Sequence, residues 1–89
     1  MYSLIVDCST FQLIPGTYLI DESKNEVVSI EHIAIDNIPN VAIMEGANKI
    51  KLMGATEYCL GLKEKMENKL ALEYANHNIE IEVMEKWDI

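Results

Sequence analysis

Eighty-nine residues with 49% hydrophobic and 25% charged side chains make one folded domain, 1–89, with a modest core, because a chain this short buries only about 60–65% of the surface that its unfolded form exposes. Fifteen acidic residues face seven basic ones, all lysine, for a formal net charge of −8. That balance, with no arginine, argues against nucleic acid as a partner, since phosphate and guanine are read by basic patches rich in arginine. It argues equally against phosphoryl transfer that needs a guanidinium clamp.

The segment Tyr2–Cys8 reads as a strand, with Leu4 and Val6 on one face and Ile5 and Asp7 on the other. Pro15-Gly16 predicts a type II turn or loop, after which Thr17–Ile20 resumes strand character. The polar stretch 21–26 joins it to Val27–Ile30 as a hairpin. Val28 and Ile30 share one phase while Ile33 and Ile35 take the other, which predicts a bulge near Glu31-His32. Asp36–Asn40 reads as a turn in which Pro39 ends regular pairing. Val41–Met44 and Lys49–Met53, joined at 45–48, read as a second hairpin.

Helical periodicity is strongest from Thr56 to Ala75, where Ala55, Tyr58, Cys59, Leu62, Met66, Leu70 and Tyr74 form one stripe. Thr56 is the expected N-cap, and Asn76-His77-Asn78 the stop. Ile79–Val83 then alternates as a strand. Strand, helix and strand in succession predict a right-handed crossover, with Lys49 and Lys51 set beside Glu80 and Glu82 on the uncovered face. The whole predicts a two-layer α+β domain: a five- or six-stranded mixed sheet, with N-terminal antiparallel hairpins and a C-terminal βαβ unit, packed on one long helix.

Three places invite chemistry. The strand-to-helix junction Gly54-Ala55-Thr56 offers helix N–H groups to a small anion, although Glu57 sets a negative charge at its mouth. Cys59 lies in the first helical turn, where the dipole favours a thiolate, but also within the apolar stripe. Asp7 ends an apolar strand, and Ile5-Val6-Asp7-Cys8-Ser9-Thr10 resembles the first strand of actin-like and ribonuclease-H-like domains. In those families the aspartate sits near a metal. Asp21, Asp36 or Glu45 would have to supply a second carboxylate here, and the glycines expected after the aspartate are missing, so no family is assigned. Cys8 and Cys59, 51 positions apart, form no C-x-x-C pair and match no zinc spacing with His32 or His77, which leaves two reduced, buried thiols and no metal or other cofactor expected.

Tyr2, Phe11, Tyr18, Leu60, Leu72 and Trp87 exceed what one small two-layer domain readily covers. The reading that follows is a non-enzymatic, acidic protein-interaction or assembly module, homo-oligomeric, with Leu60, Leu72 and Trp87 as its interaction surface and a basic protein as a further partner. A binder of a small anion at Gly54–Thr56 or between subunits is the alternative, and a cysteine-dependent enzyme using Cys59 the third. No apolar run reaches the ~18–20 residues of a membrane span, and Met1–Asp7 lacks the basic start of a secretion signal, so the expected setting is cytoplasmic, with no membrane partner.

Overall fold

A computed structural model describes residues 1–86. In chain order the elements are β1 (Tyr2–Asp7), β2 (Gly16–Asp21), β3 (Glu26–His32), a 3-10 turn (Ile35–Asn37), α1 (Ile38–Met44), β4 (Ala47–Met53), α2 (Thr56–Glu73) and β5 (Glu80–Met84). The strands form one mixed sheet in the order β3-β2-β1-β4-β5. β1–β2 and β2–β3 pair antiparallel, whereas β1–β4 and β4–β5 pair parallel, so β2 alone runs against the rest.

This order dictates where the helices go. β3 to β4 and β4 to β5 are both parallel crossovers stepping the same way across the sheet, and the right-handed rule then sends α1 and α2 to the same face. Beneath them Leu4, Val6, Leu19, Ile50, Leu52 and Ile81 join Ile38 and Ala42 of α1 and Cys59, Leu62, Met66 and Leu70 of α2 in one buried cluster. The predicted two-layer α+β architecture is what forms, with five strands and a second, short helix.

That second helix corrects the sequence reading. Val41–Met44 is not a strand and the hairpin over 41–53 does not exist; these residues complete α1. Pro39 lies in the first turn of α1, where the missing N–H would have had no partner in any case. Ile38 and Ala42, four apart, are buried, and Val41 is partly so. Gly46, at φ +71°, turns the chain out of the helix and its N–H returns to Ile43 O at 3.2 Å.

Smaller corrections share one cause, that backbone geometry is set by neighbours as well as by residue type. The bulge lies at Val28, not at Glu31-His32: Ile20 opposes Val27 while Leu19 opposes Ser29. Gly16 enters β2 directly and has no positive φ; the residues that do are Phe11, Asn25, Gly46 and Gly54. Thr56 is the first helical residue of α2, and the N-cap is Ala55, with no side-chain cap. The helix ends at Glu73, with Tyr74 as C-cap.

The predicted β4–β5 adjacency is present, with Ile50 opposite Ile81 and Leu52 opposite Val83. On the sheet face away from the helices Lys49 pairs with Glu82 at 3.2 Å and approaches Glu80 at 3.9 Å, while Lys51 pairs with Glu22 at 3.1 Å. Ile5, Ile20 and Ser3 are fully buried on this same face.

Candidate functional site

At the Gly54-Ala55-Thr56 junction the glycine is taken up by the fold itself. Gly54 N–H donates to Met84 O at 2.9 Å. A Cβ on Gly54 would stand 3.0 Å from Cys8 C, 3.1 Å from Cys8 O and 3.2 Å from Ser9 N, and φ there is +152°. Glycine is therefore required so that the end of β4 can lie against the end of β1. Ala55 and Thr56 are exposed, with Glu57 beside them in the first turn.

Cys59 is fully buried, and the group that meets its thiol is Cys8, not a histidine. Burial pushes the Cys59 thiol up. Cys8 is pushed up to about 12, by burial first and then by the neighbouring Cys59 and Asp7. The two residues, far apart in sequence, thus form a protonated thiol pair between the end of β1 and the first turn of α2. Nothing in the local residue pattern signals that they meet. Phe11 closes the same end of the molecule by standing edge-on to Tyr58, with centroids 4.9 Å apart and an 83° angle between planes.

Asp7 Oδ1 accepts hydrogen bonds from Ser9 N, at 3.1 Å, and from Ser9 Oγ, at 2.5 Å, a local turn. Asp21 lies at the other end of β1, opposite Tyr2, and Asp36 and Glu45 belong to the turn and cap around α1. Among the described residues no three of His, Cys, Asp and Glu gather in a way that could hold a metal ion.

Leu60 is 50% exposed and Leu72 86%. Twelve positions separate them on α2, about 18 Å along the axis and about 120° around it, so they do not make one patch. Trp87 lies outside the described residues.

A different surface stands out, one that sequence reasoning missed. β3 is an edge strand in which every residue is exposed except the half-buried Ser29, and Val27, Val28 and Ile30 are 49%, 54% and 61% exposed. Ile33 N donates to Pro15 O at 3.2 Å. By the alternation of an antiparallel ladder, Glu31 and Ser29 also bond toward β2, while the N–H and C=O groups of Ile30 and His32 turn outward. On the helix side of this edge lies a shallow cleft between β3 and α1, lined by Leu4, Leu19, Ser29, Glu31, Val41 and Glu45 among others. The residues were visible in the sequence as a strand, but its place at the edge depends on strand order.

No family model, no curated protein and no solved structure matches the chain. Of the segment Ile5–Thr10, only Ile5–Asp7 lies in β1; Cys8–Thr10 follow it in the turn.

Proposed function

We propose that this chain is a non-enzymatic protein-interaction or assembly module that works by strand addition at β3. One observation carries the reading: an edge strand with outward backbone N–H and C=O groups and three large apolar side chains each about half or more exposed. Folded proteins limit indiscriminate pairing at such an edge by charge, proline, a bulge or a covering element; here, among the described residues, no element covers the regular stretch Ser29–His32, and an added strand satisfies both its hydrogen bonds and its apolar surface. A second copy of the chain and another protein can each supply that strand. Binding of a small anion at Gly54–Thr56 and nucleophilic chemistry at Cys59 gain no such support, because the glycine N–H is already bonded and the thiol is buried beside Cys8.

The test is amide hydrogen exchange on the protein alone at low concentration, at high concentration, and with strand-forming peptides. The Ile30 and His32 amides are expected to exchange fast in the free protein and to gain protection in the complex. Protection that appears instead around Leu60 or Leu72, with β3 unchanged, places the interface on α2 and refutes strand addition.

A further inference from the structure

Resting on the strand-addition reading, we propose that the segment taken up by β3 is an extended basic stretch of another protein, in which lysine or arginine alternates with apolar residues. The two sides of the edge differ in chemistry. Toward the helices, Glu31 on β3 and Glu45 at the end of α1 flank the cleft, whose floor includes Leu4, Leu19 and Val41. Among the described residues neither carboxylate has an ion-pair partner. Toward the opposite face, Ile30 and Val27 present apolar surface, since they oppose Tyr18 and Ile20.

Successive side chains of an added strand point to opposite faces. One set enters the cleft, where a long cationic side chain lays its methylene stem on the apolar floor and its charge between Glu31 and Glu45. The other set covers Ile30, with Val27 at its margin beyond the bulge. A second copy of this chain fits less well. The side chains that its own β3 would bring to the cleft are Ser29 and Glu31, which sets carboxylate beside carboxylate, and each copy carries a net charge of −8.

The experiment titrates the full chain into three dye-labelled ten-residue peptides read by fluorescence anisotropy: alternating valine and arginine, alternating valine and glutamate, and the basic composition rearranged around a central proline. The alternating basic peptide is expected to bind at least about tenfold tighter than either of the others and to protect the Ile30 and His32 amides. The double variant Glu31→Lys/Glu45→Lys should reverse the preference and bind the acidic peptide, an outcome that a misfolded variant cannot produce. Equal binding of the proline-containing basic peptide overturns the proposal, because charge alone then suffices. Retention of the basic preference by the double variant also overturns it, because the cleft is then not the reader. Self-association that protects Ile30 and His32 while no peptide binds overturns the basic partner but leaves strand addition standing; no protection of β3 under any condition removes both.

Discussion

Two glycines in adjoining segments should respond to the same substitution with opposite signs. At Gly54, alanine meets backbone atoms of Cys8 and Ser9 at 3.0–3.2 Å and must hold φ near +152°. A residue held at such a backbone angle costs about 1–3 kcal/mol, and forcing an extra carbon against backbone that cannot swing aside adds about 1–3 kcal/mol. The sum, about 4 kcal/mol, is a large part of the roughly 4–13 kcal/mol expected for a chain of this length. At Gly61, in the middle of α2 and exposed, an added Cβ meets nothing within 4 Å. There alanine should stabilise by about 0.4–1 kcal/mol, because it restricts the unfolded chain and suits a helix. Urea titration followed by circular dichroism separates the two. With a slope of about 1.5 kcal/mol per M, the midpoint of Gly54→Ala should fall by roughly 2.5 M and that of Gly61→Ala should rise by roughly 0.3–0.7 M. A Gly54→Ala protein within about 0.5 kcal/mol of wild type would show that β4 and β1 do not meet as described.

Leu62→Ala and Met66→Ala, both in the buried stripe of α2, should each cost about 2–5 kcal/mol in the same assay; wild-type stability in both would mean that another face of the helix is buried. Cys8 and Cys59 should resist a thiol reagent in the native protein at pH 8 and react only on unfolding, and labelling faster than global unfolding would contradict their burial. Because the Cys8 thiol is raised in the folded state from 9.0 to about 12, the stability it contributes is complete below pH 9 and is lost as the pH climbs toward 12, where the unfolded chain ionises first. Glu22 is held below the usual carboxylate range chiefly by its hydrogen bond to Lys51; its contribution is present above that range and fades as the pH falls through the lowered value. An NMR titration should show the Glu22 carboxyl moving up in Lys51→Met, and an unchanged midpoint would assign the depression to another group.

The C-terminal half of the fold was legible in the sequence because its signals are redundant. Cys59, Leu62, Met66 and Leu70 keep helical spacing, and Lys49 and Lys51 lie opposite Glu80 and Glu82 in the register that the charges favour. The middle was not. A four-residue apolar run such as Val41–Met44 suits a strand or a buried helix equally, and Pro39 marks the end of one or the start of the other. Pairing between β1 and β4, which are separated by two strands and a helix, leaves no trace in local pattern. The same ignorance of strand order hid the meeting of Cys8 with Cys59 and the edge position of β3. Leu60 and Leu72 were correctly read as lying outside the core stripe, but helix length keeps them apart.

The bulge at Val28 bears on how such an edge survives in solution. Aggregation by strand stacking needs a long, flat template that propagates register from one molecule to the next. Here the doubled residue twists the strand and breaks its hydrogen-bond rhythm, which leaves only Ser29–His32 as a regular template. The sheet's other border, β5, bears Glu80 and Glu82, so β3 of one molecule, with Glu26 and Glu31, meets the same sign of charge on β5 of the next. Head-to-tail growth, the arrangement that yields open filaments, is opposed at both ends of the sheet, so the strand addition proposed for this edge does not require that it also seed a fibre.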